Sequence, residues 1–243
     1  MRALGFLLLF LPALASAQFL YELDQSIAVT GEGSVPLKSP WSGGLNAVQV
    51  STMDLNHDAK EDLVIFERMG DLVLTFLQQD GEYVHAPEYE VLFPEGITNW
   101  LLIRDFNGDG LKDIFTGDAL GVKVYVNKTQ TGGQLTWQPF LFFSETSKGP
   151  LLLTKKTSKA PLQMSYDDLP SIVDADGDGD LDIFSMDFPG ESRIEFHQNF
   201  SMERYGSRDS LEFERVTLGW AGVRECTCGV FAFNSSTCPS SGR

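Results

Sequence analysis

The chain has 243 residues, of which 34 are acidic and 18 basic, for a formal net charge of −16 at pH 7. So anionic a protein is repelled by nucleic acid and by anionic lipid, so neither is an expected partner. Twelve of the acids fall inside three short loops, so much of the imbalance is local.

At the N-terminus Arg2 precedes the apolar stretch Ala3 to Leu14, followed by Ala15-Ser16-Ala17. The stretch is shorter than the roughly 20 residues that span a bilayer, and A-x-A is the small-residue cleavage pattern. Residues 1–17 are therefore expected to be a secretory signal peptide. Cleavage leaves Gln18 first, with no cysteine there to accept a lipid. No later segment is expected to insert in a membrane, which makes the mature chain secreted, extracellular or cell-surface.

The first acidic loop, Asp54 to Asp62, reads D-L-N-H-D-A-K-E-D. The second, Asp105 to Asp113, reads D-F-N-G-D-G-L-K-D, and the third, Asp174 to Asp182, reads D-A-D-G-D-G-D-L-D. Oxygen-bearing side chains recur at positions one, three, five and nine: Asp54, Asn56, Asp58 and Asp62; Asp105, Asn107, Asp109 and Asp113; Asp174, Asp176, Asp178 and Asp182. The backbone carbonyls at position seven (Lys60, Leu111 and Asp180) add a fifth donor.

Calcium takes six to eight oxygen ligands in a flexible geometry, and alternate residues of a tight loop converge on one point. Up to three structural calcium ions are the expected cofactors. Gly110 and Gly179 occupy the sharp turn after position five, where a left-handed backbone costs glycine least. Ala59 and His57 replace small residues in the first loop, which ranks it the weakest site. The third, with four side-chain carboxylates, ranks tightest. Isolated D-G and N-G clusters are usually solvated turns, but three copies in one register argue for ligation.

An EF-hand closes with a bidentate Glu at position twelve; here that position holds Ile65, Thr116 and Ser185. The flanks, rich in Ile, Val and Phe without helical period, read as strands. Leu72 to Phe76, Tyr83 to Phe93 and Leu135 to Phe143 supply further strands, and no amphipathic helix follows the signal segment. The loops start 51 and 69 residues apart, and the longer interval places an insertion at about 144–168. Its lysines, Lys148, Lys155, Lys156 and Lys159, read as a solvated basic loop.

The segments D-L-N-H-D-A-K-E-D-L-V-I-F, D-F-N-G-D-G-L-K-D-I-F and D-A-D-G-D-G-D-L-D-I-F, with the following stretches Gly121 to Asn127 and Arg193 to Asn199, resemble the FG-GAP or VCBS repeats. The resemblance covers most of residues 18–243. It implies an all-β fold of four-stranded antiparallel β-propeller blades, with repeats starting near 47, 99 and 170 and a cation between the first two strands of each. A propeller usually closes with four to eight blades. Three repeats plus flanks, part of a blade from Gln18 to Val50 and the start of another from Phe213 to Phe233, give three to four. An incomplete ring from a longer, C-terminally truncated parent is the expectation.

Cys226, Cys228 and Cys238 leave one thiol over; either of the first two can reach Cys238 across a short loop, and a zinc site lacks a fourth ligand nearby. His57, His85 and His197 are scattered and read as surface or loop residues. The pair Asp167-Asp168 reads as a turn cap rather than a catalytic dyad. No phosphate loop, nucleophile elbow or H-E-x-x-H pattern is present. The expected function is thus a non-catalytic calcium-binding scaffold that presents loops to protein or carbohydrate, with Trp41, Trp100, Trp137 and Trp220 as candidate contacts or as core. The alternative is the non-catalytic N-terminal propeller region of a larger secreted hydrolase or lyase.

Overall fold

The computed structural model describes residues 27–144, 147–190, 192–227, 229–235 and 237–238. The signal segment and Cys228 lie outside them. The chain divides into two compact units, Met1–Trp41 and Ser42–Arg243. In the described part of the first, Thr30 bridges Pro36 around a 3-10 turn at Glu32–Ser34, and Trp41 Nε1 donates to the Ile27 carbonyl at 3.2 Å. Of the expected strand contribution from 18–50, the described residues show that bridge and the start of a strand at Val48.

The second unit is built of largely antiparallel sheets, none of them closed. Strands β1 (Val48–Met53), β2 (Asp62–Glu67), β3 (Leu72–Gln79) and β4 (Glu82–His85) pair in chain order as one four-stranded sheet. Strands β5 (Thr98–Arg104), β6 (Asp113–Asp118), β7 (Gly121–Asn127) and β8 (Trp137–Pro139) repeat that order in a second. Each strand pairs with its neighbour in sequence, so local pairing is sufficient to build each sheet. The expected strand from Tyr83 to Phe93 is shorter, because the chain turns into a 3-10 helix at Glu90–Leu92.

The insertion departs from expectation. It contributes strands rather than a solvated loop: β9 (Phe142–Phe143) pairs with β10 (Lys148–Gly149), and β11 (Leu153–Lys155) pairs with β12 (Lys159–Pro161). Then follow β13 (Ser171–Val173), β14 (Asp182–Met186), β15 (Ile194–Asn199), a five-residue helix α1 (Ser201–Tyr205) and β16 (Phe213–Leu218). Strand β11 adds in parallel to β16, so the third sheet has six strands in the order β12-β11-β16-β15-β14-β13. Phe213 to Leu218 therefore completes the third sheet rather than opening another. The chain continues into a separate hairpin, β17 (Val223–Thr227) with β18 (Val230–Phe233), tied by a Cys226–Cys238 disulfide.

The lysines also have specific partners. Lys155 pairs with Glu214 (3.4 Å), Lys156 with Glu195 (2.9 Å) and Lys159 with Glu212 (3.5 Å), fastening the insertion to β15 and β16, while Lys148 lies over the Phe143 ring. Asp168 caps a turn as expected: its backbone N–H donates to the Ser165 carbonyl and its carboxylate accepts the Ser165 N–H.

The second sheet is buried on both faces, which explains the unbroken burial of β6 through Asp113-Ile-Phe-Thr-Gly117. Alternation along its strands divides the apolar side chains between two cores. Leu101, Ile103 and Ile114 pack with Met53, Val64, Phe66 and Leu77 of the first sheet. Trp100, Phe115, Val122 and Val124 pack with Ile172, Ile183 and Phe213 of the third. Burying each such large side chain stabilises the fold by about 1.5–3 kcal/mol. Trp100 is thus core, while Trp41 and Trp220 are more than 40% exposed, at 42% and 43%. Among the described residues no helix is long and apolar enough to cross a membrane.

Candidate metal centres

All three acidic loops connect the first two strands of a sheet: β1 to β2, β5 to β6 and β13 to β14. One hydrogen-bond scaffold recurs in each. The position-one carboxylate accepts the backbone N–H of position six, from Ala59 (2.9 Å), Gly110 (3.0 Å) and Gly179 (3.1 Å). Position three accepts from position five: Asn56 from Asp58, Asn107 from Asp109 and Asp176 from Asp178. Position five accepts from position seven, the N–H of Lys60, Leu111 and Asp180. These Asx-type bonds curl the chain so that side-chain oxygens at alternate positions gather inside the turn.

Position nine anchors the loop to its sheet. Asp62, Asp113 and Asp182 are fully buried. Each accepts the N–H of position two (Leu55, 2.8 Å; Phe106, 3.2 Å; Ala175, 3.0 Å) and that of a residue on the third strand (Gln78, Asn127 and Asn199, all 2.8 Å). Burial pushes these carboxyls up despite the backbone donors, and neighbouring loop aspartates push further: Asp113 to about 7, Asp182 to about 6, and Asp62 upward. Negative charge is packed here more densely than the protein's own cations neutralise it.

The turn positions carry the differences expected from sequence. His57 and Ala59 have φ of +62° and +63°, where the other loops place Gly108, Gly110, Gly177 and Gly179. Such a backbone costs a non-glycine residue roughly 1–2 kcal/mol. The first loop also carries its own cation, with Lys60 Nζ 3.4 Å from Asp58 Oδ2.

The third loop is the most elaborated. Asp174, Asp176 and Asp182 bring one ligand atom each within 4.8 Å of one another. Asp178 Oδ2 and Asp180 Oδ1 are buried with no hydrogen-bond partner. Buried anionic oxygens without a donor are costly, and the donor set is all hard oxygen, which suits calcium. The loop residues thus fit such an ion. The end of β15 and the connection to β16, unforeseen as part of the site, pack over the loop: Gln198 Nε2 donates to Asp176 Oδ2 and the Met202 N–H to Asp180 Oδ2.

Arg208, from the same connection, lies against both the second and third loops. A Cβ at Gly179, where φ is +100°, would sit 2.5 Å from Arg208 Nη2, and one at Gly108 3.3 Å from its Nη1. Gly179→Ala is therefore expected to lower stability by roughly 1–3 kcal/mol through backbone strain and displacement of Arg208, read from urea unfolding midpoints.

His197 is not at the surface. It is fully buried on β15, with Nδ1 2.8 Å from Thr154 Oγ1 and Nε2 3.0 Å from Glu195 Oε2. A carboxylate only accepts, so Nε2 carries the proton and Nδ1 accepts from the threonine hydroxyl. Lys156 and Arg215 also pair with Glu195. Burial alone would raise Glu195, but hydrogen bonds from His197, Lys156 and Arg215 outweigh it and hold the carboxyl at about 2; burial lowers His197, leaving it neutral at pH 7. His85 is half-buried beside Glu90 at 2.8 Å, and His57 lies in the first loop. The three histidines converge on no common centre. The detectable signal was alternation: Glu195, His197 and Asn199 share the buried face of β15.

No family model matches this chain, and no curated protein matches it.

Proposed function

We propose that this protein is a secreted, calcium-stiffened β-propeller scaffold without catalysis, whose loops bind protein or carbohydrate. The observation that carries the metal assignment is the third loop, where buried carboxylate oxygens lack any donor inside a scaffold repeated at three hairpins. Calcium would be held by the aspartates and asparagines at positions one, three, five and nine, with the carbonyls of Lys60, Leu111 and Asp180. When bound, it supplies positive charge and rigidity, not a reactive water.

The stacking of two four-stranded sheets and a six-stranded one, each with its acidic loop between first and second strands, supports reading them as propeller blades. Secretion rests on the signal-like segment 1–17. The non-catalytic reading is supported by the chemistry of the Thr154, His197 and Glu195 chain. Thr154 is 1% exposed, and Glu195 is already neutralised by two cations, so the histidine has little drive to take the hydroxyl proton. Trp220, 43% exposed and edge-on to Phe184 at 4.8 Å, offers an aromatic face for a sugar ring.

Equilibrium calcium binding is the test. At millimolar calcium the metal-stripped protein should take up at least one ion per loop, and Asp113→Asn or Asp182→Asn should each cost uptake at its own loop. Absence of calcium uptake by the folded protein would refute the reading.

A further inference from the structure

We infer that the cavity beside the first acidic loop is a socket for a guanidinium group, and that its occupant is an arginine side chain of a protein partner. This deepens the reading of the protein as a loop-presenting scaffold, on which it rests, by naming a ligand chemistry. The cavity, about 400 Å³, lies where the first loop, the β4–β5 connection and the β7–β8 connection meet. That volume is in the range that holds small ligands and side-chain head groups. Buried Leu55 and Leu135 give it an apolar lining, and His57, Glu88 and Tyr89 add polar groups.

The fold itself shows what such a place holds. At the next junction between sheets the same two kinds of element meet, an acidic loop and the connection between the third and fourth strands of the following sheet, here at Gly108 and Arg208. The Arg208 guanidinium fills that space: a Cβ at Gly108 would lie 3.3 Å from its Nη1, and one at Gly179 2.5 Å from its Nη2. At the cavity, His57 takes the loop position of Gly108, and the β7–β8 connection offers Gly132 and Gly133, with no arginine anywhere in 128–136. Gly110, the counterpart of Gly179, would have nothing within 4 Å of a Cβ. One junction is thus filled by an internal arginine, and its counterpart is left open.

The lining suits that head group. Glu88 is exposed and has no ion-pair partner among the described residues. His57 Nε2 is buried with no hydrogen-bond partner; with the proton on Nδ1 it accepts from an N–H donor, and a guanidinium carries several. The Tyr89 ring offers a face to a planar cation. Burial, with the charges of Glu88, Asp62 and Asp54, pushes the Tyr89 hydroxyl up, so negative potential collects here. His57 also holds φ at +62°, a cost that its counterparts Gly108 and Gly177 avoid. Strain retained at a cavity wall accords with a side chain kept for what it touches. A cationic partner is in addition steered towards a protein of net charge −16.

Binding of a capped glycine–arginine–glycine peptide to the full chain, followed by calorimetry in calcium and in chelator, tests the socket. The peptide should bind, and its citrulline counterpart, of the same shape without the charge, should not. Glu88 is exposed, so Glu88→Gln should fold, and it should weaken the arginine peptide roughly three- to fivefold. Free arginine, whose own carboxylate meets Glu88, should bind more weakly than the peptide; tighter binding of the free amino acid would overturn the protein source. Equal binding of the arginine and citrulline peptides, or an affinity unchanged in Glu88→Gln, would overturn the socket. Calcium uptake with no peptide binding would overturn it too and leave the calcium scaffold standing, whereas peptide binding by a protein that takes up no calcium would overturn the calcium assignment alone.

Discussion

Adding ~2 mM calcium to the metal-stripped protein raises its melting temperature by about 10 °C or more, and a chelator reverses the rise. With a Kd near ~0.1 mM, each motif site contributes roughly 1.8 kcal/mol by mass action. Three sites sum to about 5 kcal/mol, and 1 kcal/mol moves the midpoint of a domain this size by about 2–4 °C. The contribution has a clear source. In the stripped protein Asp62, Asp113 and Asp182 are buried among other loop carboxylates, and folding has to bring those charges together. The gain is unequal among loops. Asp176→Ala removes a charged ligand from the most acidic loop and should cost more of the calcium-dependent shift than Asn56→Ala, which removes a neutral ligand from a loop already strained at His57 and Ala59. Differential scanning calorimetry of the two variants, with and without calcium, checks the order. A melting curve indifferent to chelator would contradict the whole assignment.

Glu195→Gln should destabilise the protein by about 3 kcal/mol, because it removes the one anion that Lys156, Arg215 and His197 share. Breaking a buried pair by deleting one partner typically costs ~3–5 kcal/mol; the lower end applies because both cations keep partial access to water. The effect carries a pH signature. A carboxyl held at about 2 in the fold and at 4.5 in the unfolded chain contributes stability that is fully present above pH 4.5 and is lost as pH falls towards 2. The gap between wild type and Glu195→Gln in urea unfolding should accordingly stay constant from pH 7 down to about 5, then narrow with further acid. A gap that persists unchanged to pH 2 would show that Glu195 acts through packing rather than charge.

The all-β architecture and the placement of the acidic loops were legible in the sequence because both depend on local pattern. Aspartates spaced by two need no tertiary information to define a loop, and D-I-F or D-L-V-I-F after each loop marks the strand that follows. Strands begin at Val48, Thr98 and Ser171, each leading into one of the acidic loops. What sequence did not disclose depends on contacts between distant segments. The lysines at 155, 156 and 159 look like a solvated patch until β15 and β16 bring Glu195, Glu212 and Glu214 opposite them. His197 looks peripheral until β11 covers it. Gln198, Glu203 and Arg208 carry no motif of their own, and only the path of the chain through the end of β15 and the connection after it lays them over the third loop. Likewise, the choice of Cys226 as the partner of Cys238 requires the β17–β18 hairpin to exist first.

The parallel pairing of β11 with β16 joins segments far apart in the chain. Lys155 and Glu214, which lie opposite one another in that register, are 59 residues apart in the chain. Every strand pair of the first two sheets joins sequence neighbours, whereas this one needs a long loop to close, and such non-local contacts slow the search for the native topology. The β11–β16 pairing is therefore expected to form late, and a refolding chain in which it has not yet formed carries β16 as an uncovered edge, open to other strands.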